Sequence, residues 1–195
     1  MVLIPGVFES WHYLEALGEH LSAQGHPVHH PAELAFTRRP IPETARDVHR
    51  YLERHHLRDV VVVGHSKGGL IGKQMLLNDP ETRIARVVAV NAPFPGLPLA
   101  RYAISAWREF SPHQPVIRAL AAATDVHERI VSIYSRFDQY VPGSSRLEGA
   151  TNIELPLAGH FWVLAHPMVL DEVARWVSAP APTVGRLPVA PPGPG

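Results

Sequence analysis

The stretch from residue 59 to residue 72 constrains the fold of this chain more than any other, and it has the sequence DVVVVGHSKGGLIG. The unbroken β-branched run from Val60 to Val63 is typical of a strand that is buried on both faces of a parallel sheet. A glycine-lined turn follows, and then a helix in which Gly68 and Gly72, four residues apart, allow close packing against the strand. Because such a strand needs helices above and below it, we expect an α/β fold with a mostly parallel, open sheet and helices on both faces.

The turn between this strand and this helix contains a G-x-S-x-G pattern, Gly64-His65-Ser66-Lys67-Gly68. In a turn of this kind the serine takes a strained backbone conformation that lifts its hydroxyl above the sheet, and small neighbours prevent clashes. The glycines could also shape a purely structural turn. Because a strand comes directly before the pattern and a helix directly after it, we interpret Ser66 as a candidate nucleophile.

Composition limits the class of protein. The 195 residues are 46% hydrophobic, which is ordinary for one globular domain. The 18 basic and 18 acidic side chains balance, and no basic run is longer than Arg38-Arg39, so we expect no nucleic-acid partner. The absence of cysteine excludes disulfides, thiolate metal sites and a cysteine nucleophile.

The sequence shows neither a signal-peptide pattern nor a membrane-spanning segment, and the location of the protein is predicted from this. Met1 to Ile4 lead directly into Pro5-Gly6 without a basic start, and no run of 18 apolar residues occurs. We therefore expect a soluble, cytoplasmic protein with no stable membrane association. Its oligomeric state is left open.

Strands and helices alternate along the rest of the chain, as in a parallel sheet covered on both sides. We predict strands at 2–4, 28–30, 60–63, 84–90, 130–134 and 153–157, and helices from Ser10 to Gly25, over 43–56, after Ser66, within 99–110, over 116–123 and from Pro167. The domain is predicted to span residues 1–178, with the proline-rich segment 92–125 as a small cap or pocket segment. Residues 179–195 contain six prolines and three glycines, so we expect this tail to be disordered.

A serine nucleophile needs a base that takes its proton and a carboxylate that fixes the base. His160 follows the last predicted strand through Ala158-Gly159, at the carboxyl edge where functional residues of such sheets gather. Asp138 follows the preceding strand at the same edge. The alternatives are a packed or capping histidine and an ordinary surface acid. The other nearby acids are predicted to precede or lie within strands: Asp125, Glu128 and Glu154.

With serine, acid and histidine in this order, the chain resembles the α/β-hydrolase superfamily. Within it, the chain is similar to the minimal, lidless bacterial lipases and esterases, whose small domains begin with an apolar strand and a glycine loop. The matching stretches are Val2–Val7, Val63–Gly69, Ser132–Asp138 and Ala158–His160. They extend over nearly the whole chain apart from the tail, and they imply a catalytic triad of Ser66, Asp138 and His160.

The resemblance also implies an oxyanion hole made of the backbone N–H groups of Val7 and Lys67. Such lipases usually carry His-Gly where this chain has Pro5-Gly6, so Phe8 is the alternative to Val7. The cation of Lys67 could favour anionic substrates, but we expect its stem to lie along the groove and its ammonium to reach water.

The expected activity is hydrolysis of carboxylic esters through an acyl-enzyme, with no metal and no cofactor. Phe8, His65, Phe94 and Phe161 are predicted to contact the substrate, although aromatic residues are more often part of a core. Segment 92–125 is too short for a large lid, so we expect short to medium acyl chains and loss of activity near pH 6.5, as the histidine protonates.

Other functions remain open at this stage. Thioester or amide hydrolysis and acyl transfer to another acceptor use the same residues, and a lyase could use the triad for acid–base chemistry alone. A non-catalytic binding protein with the same fold is the alternative from a different class.

Overall fold

The computed structural model describes residues 1–31, 34, 38–102, 105–143 and 145–180. Within these residues, five strands form one parallel sheet in which each strand pairs with the next in chain order. They are β1 (Val2–Ile4), β2 (Val60–His65), β3 (Ile84–Val90), β4 (Ile130–Phe137) and β5 (Thr151–Ala158). The parallel α/β sheet predicted from the valine run is confirmed.

The helices lie between the strands, as the alternating pattern predicts. The α-helices of the described residues are α1 (Glu15–Ala23), α2 (Ile41–Arg54), α3 (Lys67–Leu77), α4 (Pro115–Ala122) and α5 (Pro167–Ser178). Short 3₁₀ segments span Trp11–Leu14, Pro98–Tyr102, Ser105–Phe110, His127–Arg129 and Trp162–Ala165. Among the described residues, no helix is long and apolar enough to cross a membrane.

Helices cover both faces of the sheet. On one face, α2, α3 and α4 pack their apolar side chains on alternate residues of the strands, for example Leu52 and Ile71 with Val62. On the other face, α1 and α5 pack apolar side chains such as Leu17 and Val173 on the remaining residues of the strands. The sheet is therefore buried on both sides, which explains why its central strands are almost continuously apolar.

Three local predictions differ from the structure. The predicted strand 28–30 is reduced to a single bridge between His29 and Val2, because Pro27 and Pro31 on either side cannot donate to a ladder. In the described residues of 99–110, 3₁₀ segments take the place of the predicted helix, and the helix predicted from Ser10 begins with a 3₁₀ turn at Trp11–Leu14. In the predicted tail, residues 181–195 lie outside the described residues.

The segments that follow β1 lie first on one side of it in the sheet and then on the other, and this switch positions the site. On one side Val2 pairs with Val62 of β2, and on the other side it bridges to His29. The chain leaves β1 toward the outer edge at His29 and returns over α2 to β2. In open α/β sheets, ligands bind at such a switch point, beyond the carboxyl ends of the strands. The loop after β1 and the turn after β2 both lie at this switch point.

Candidate active site

Ser66 occupies the sharp turn between β2 and α3. Its backbone angles are φ 51° and ψ −117°, a left-handed conformation that a residue with a side chain rarely adopts and that costs roughly 1–3 kcal/mol. The surrounding structure enforces it, since the Ser66 N–H donates to the carbonyl oxygen of Val90 on β3 at 2.9 Å. The geometry is that of the strained turn that the sequence pattern predicts.

The glycines of the pattern are needed because three backbone segments meet here. A Cβ atom on Gly68 would lie 2.1 Å from the carbonyl oxygen of Ile4 at the end of β1. A Cβ on Gly64 would lie 2.3 Å from the carbonyl carbon of Gly68. The turn can therefore lie against β1 only when both positions carry no side chain.

Asp138 and His160 meet at the same edge of the sheet. The His160 Nδ1–H group donates to Asp138 Oδ2 at 2.6 Å, and both side chains are buried. The other carboxylate oxygen of Asp138 accepts the N–H groups of Tyr140 and Val141 at 2.8 and 3.0 Å. Asp138 is thus held by its own loop, and it fixes one ring nitrogen of His160.

These contacts shift both pKa values. Burial raises the pKa of Asp138, but the hydrogen bond and charge of His160 and the two N–H groups outweigh it, so the pKa lies below its usual value. Burial lowers the pKa of His160, and the charge of His65 adds to this, while Asp138 and Glu9 act in the opposite direction. The net result is a His160 pKa below 6.5, so its ring is a free base at neutral pH.

No hydrogen bond joins the Ser66 hydroxyl to this pair in the structure, although the residue before it lies close to His160. Ser66 follows His65, whose ring centroid is 4.6 Å from that of His160. Among the described residues, no group forms a hydrogen bond with Ser66 Oγ. Serine–base hydrogen bonds are often long before a substrate binds, so the lack of this bond does not exclude His160 as the base of Ser66.

A buried glutamate that the sequence analysis did not consider lies between the loops. Both carboxylate oxygens of Glu9 are close to His65 Nδ1, at 2.8 and 2.9 Å, and Glu9 Oε2 also accepts the Gly6 N–H at 2.6 Å. His65 Nε2 lies 3.1 Å from the carbonyl oxygen of His160. Glu9 and His65 therefore connect the loop after β1 to the loop that carries His160.

Asn91, directly after β3, fixes the same region. Its side-chain N–H groups lie 3.2 and 3.3 Å from the carbonyl oxygens of Gly159 and His160, and its Oδ1 accepts the Ser135 N–H at 2.9 Å. In the sequence, Asn91 can be recognised as a candidate from its place at the carboxyl end of a predicted strand. Glu9 had no comparable signal, because its partner His65 comes 56 residues later.

Glu9, His65 and His160 could also be considered as metal ligands. Among the described residues, these three form the cluster whose candidate ligand atoms all lie within 4.8 Å of one another. However, Glu9 and His65 already bond to each other, and His160 Nδ1 is bonded to Asp138. We therefore assign no metal site to this cluster.

The two loops that are expected to supply oxyanion donors lie close together. Lys67 is the first residue of α3, so its N–H group has no acceptor inside the helix. Val7 and Phe8 form a turn that is closed by a hydrogen bond from Glu9 N–H to the Gly6 carbonyl oxygen, and Phe8 has φ 60°. The choice between Val7 and Phe8 as the second donor stays open.

The expectation that the Lys67 ammonium reaches water is wrong. The side chain is fully buried: its Nζ pairs with Glu109 Oε2 at 2.6 Å and donates to the Arg39 carbonyl oxygen at 2.7 Å. The other oxygen of Glu109 accepts the Ile41 N–H at the start of α2. A charge neutralised in this way has no role in selecting anionic substrates.

The four predicted substrate contacts fall into two groups. His65 and Phe94 are buried, and both ring nitrogens of His65 are engaged within the protein, so contact of these two residues with a substrate stays a prediction without support from this structure. Phe8 is 40% exposed, and Phe161 is partly exposed with its ring edge-on to His160, at 4.8 Å between centroids. Phe8 and Phe161 thus remain candidates.

An apolar groove of about 320 Å³ reaches Tyr140, a neighbour of His160. It is lined by Leu97, Pro98, Leu99, Ala100, Trp107, Gln139, Tyr140 and Pro142. The Tyr140 ring stacks on Trp107 and lies 5.4 Å from the His160 ring. A larger cavity of about 550 Å³ borders the Asp138 loop but includes the charged Arg136 and Glu154, so the smaller groove is better suited to an apolar group.

A strained serine turn, a buried Asp–His pair and a switch-point crevice together define the α/β class of hydrolases. A family model for the α/β-hydrolase fold matches residues 1–140, and the chain belongs to this family. No curated protein sequence matches it.

Solved structures show the same fold at low sequence identity. An extracellular α/β-hydrolase from a Paenibacillus species is 16% identical (TM-score 0.64), with 91% of this chain and 98% of that chain covered. The monoacylglycerol lipase of Paleococcus ferrophilus is 16% identical (TM-score 0.65; 90% and 92% covered). Bacillus licheniformis lipase BlEst2 is 14% identical (TM-score 0.68; 91% and 91% covered). At such identities the likeness shows the fold alone.

Proposed function

We propose that this protein is a serine hydrolase that cleaves carboxylic esters, with Ser66 as nucleophile, His160 as base and Asp138 as the residue that orients the base. The observation that carries the proposal is the buried hydrogen bond between Asp138 and His160 beside the strained serine turn. A histidine fixed in this way presents its second ring nitrogen as a base. The lipases among the structures of the same fold are consistent with this chemistry.

The reaction would proceed in two steps. Ser66 Oγ attacks the ester carbonyl carbon while its proton moves to His160 Nε2, and that proton then passes to the departing alcohol as the carbon–oxygen bond breaks. Water next attacks the acyl-enzyme, with His160 again taking a proton, and the acid is released as Ser66 regains its hydrogen. The N–H groups of Lys67 and of Val7 or Phe8 would stabilise the oxyanion in both steps.

The apolar groove supports a preference for short to medium acyl chains. Its walls combine aliphatic side chains with Trp107 and Tyr140, and the Tyr140 ring lies 5.4 Å from the His160 ring. Its modest volume accommodates a short chain better than a long one. The substrate class proposed is therefore esters of short to medium fatty acids.

The proposal is tested by mass spectrometry after incubation with a fluorophosphonate, which reacts with activated serines. We expect one covalent adduct on the wild type and none on Ser66→Ala. An unlabelled but folded wild type would argue against an assembled triad. Rates with p-nitrophenyl esters of increasing chain length then test the substrate class.

The pH dependence follows from the pKa of His160. Catalysis needs the neutral ring, so kcat/KM should fall with decreasing pH as His160 protonates. Because burial lowers this pKa below 6.5, the midpoint is expected below 6.5, lower than the sequence alone indicates. A pH profile of kcat/KM for a soluble ester checks this, and a midpoint above 6.5 would contradict it.

The role of the groove is tested with Trp107→Ala. Removing the indole lengthens the groove, so the ratio of kcat/KM for the octanoate ester to that for the butyrate ester should rise about tenfold, as if roughly two more methylene groups were buried. The control is Trp162→Ala, because Trp162 is 89% exposed and does not line the groove. An unchanged ratio in Trp107→Ala would mean that the chain binds elsewhere.

Thioester hydrolysis and acyl transfer would use the same residues, and no observation favours them over ester hydrolysis. A binding role without catalysis is disfavoured, because binding alone does not need a strained serine beside a buried Asp–His pair. The cytoplasmic location and the single domain over residues 1–178 stay predictions.

A further inference from the structure

Glu9 and His65 are buried side chains that the reaction itself does not use. Glu9 is 3% exposed and His65 is completely buried. Burying ionisable groups is costly unless they are paired and hydrogen-bonded. Their place between the loop after β1 and the His160 loop therefore suggests a function for the pair.

The hydrogen-bond geometry limits where the protons of the Glu9–His65 pair can lie. His65 Nε2 faces the carbonyl oxygen of His160, which can only accept. His65 Nδ1 lies almost equally far from both oxygens of Glu9, at 2.8 and 2.9 Å. With an ionised Glu9, a neutral ring would direct a lone pair at an acceptor on one side, so the geometry favours hydrogen on both ring nitrogens of His65.

The pair also controls the shape of the loop after β1. Glu9 Oε2 accepts the Gly6 N–H at 2.6 Å, and a Cβ atom on Gly6 would lie 2.3 Å from Glu9 Oε1. The carboxylate thus fills the concave side of the turn that contains Val7 and Phe8, the two candidates for the second oxyanion donor. Moving Glu9 would move this donor.

We propose that Glu9 and His65 form a carboxylate–imidazolium bridge that positions the oxyanion loop relative to the His160 loop. They are positioning residues, since neither side chain reaches the substrate. The proposal rests on the proposed function for its effect on catalysis, while the bridge itself can be tested without any activity. The charge of His65 fits the environment of His160, where it is one of the causes of the lowered pKa.

The first test is NMR of protein labelled with ¹⁵N in its histidine rings. At neutral pH we expect one buried histidine with hydrogen on both ring nitrogens. In Glu9→Gln, that histidine should lose one of these hydrogens, because an amide can donate to Nδ1, and this change assigns the signal to His65. A His65 ring with a single hydrogen in the wild type would overturn the bridge, whether or not the protein hydrolyses esters.

The second test is kinetic. Glu9→Ala is expected to lower kcat for a p-nitrophenyl ester about 10²-fold with KM changed less than about threefold, since a misplaced oxyanion donor weakens transition-state binding. Glu9→Gln should recover most of kcat, because its amide can accept the Gly6 N–H and still bond to His65. The control is Glu19→Ala, an exposed acid on α1.

The outcomes separate the bridge from the proposed function. Wild-type kcat in Glu9→Ala, or Glu9→Gln as impaired as Glu9→Ala, would overturn the positioning role. Thermal unfolding of each variant shows whether a loss of kcat reflects a loss of fold. If Glu9→Ala does not fold, the kcat of Glu9→Gln tests the positioning role instead. A wild type that neither hydrolyses esters nor reacts with the fluorophosphonate would refute the proposed function, and the NMR result would still decide on the bridge.

Discussion

Replacing Ser66 by Ala is expected to lower kcat for a short-chain p-nitrophenyl ester by about 10⁴-fold or more. The variant retains the base and the backbone oxyanion donors but has no atom that can form the acyl-enzyme. Its free energy of unfolding should be nearly unchanged, because Ser66 Oγ has no hydrogen-bond partner among the described residues and alanine has the same Cβ atom. Steady-state kinetics and thermal unfolding measure the two quantities.

The matched control is Ser22→Ala, which removes an exposed hydroxyl on α1. It should retain wild-type activity. If Ser66→Ala kept more than about a tenth of the wild-type kcat, the nucleophile would have to be another residue, and the proposed reaction would be wrong.

The second large effect is expected on stability. Gly68→Ala places a Cβ atom 2.1 Å from the carbonyl oxygen of Ile4, a backbone atom that cannot turn away. Either β1 or α3 must shift, and we expect a loss of about 3 kcal/mol or more in the free energy of unfolding. Because β1 carries the oxyanion loop, the folded fraction should also have a lower kcat. Urea unfolding and kinetics on the same samples measure both.

Gly18→Ala is the control for this substitution. It is also a helical glycine, but its nearest neighbour is the flexible Leu3 side chain at 3.3 Å. The gain in helix propensity offsets a small repacking cost, so the change should stay within about 1 kcal/mol. Equal stabilities of the two variants would contradict the close approach of α3 to β1.

The fold was predictable because its signals are local. A run such as Val60 to Val63 has few alternatives to a doubly buried strand, and the turn after it follows from the neighbouring glycines. Short segments were less predictable. At 28–30, Val28 favours a strand, but the flanking prolines limit pairing to a single bridge at His29.

The candidate site was predictable only where position along a strand carries information. Asp138 and His160 were selected because each follows a strand at the carboxyl edge, and in the structure they are bonded to each other. Lys67 was misjudged because Glu109, which neutralises it, comes from a distant segment. Glu9 was missed for the same reason, since pairing between distant residues leaves no local pattern.

The separation of the two edges of the sheet has a practical consequence. All of the candidate catalytic groups lie at the carboxyl edge, whereas the turn at 55–59 precedes β2 at the opposite edge and is largely exposed. The chain has no cysteine, so Arg58→Cys would introduce a single thiol there for covalent attachment to a solid support. Every molecule immobilised in this way would be anchored by the same end, with its crevice facing the solution.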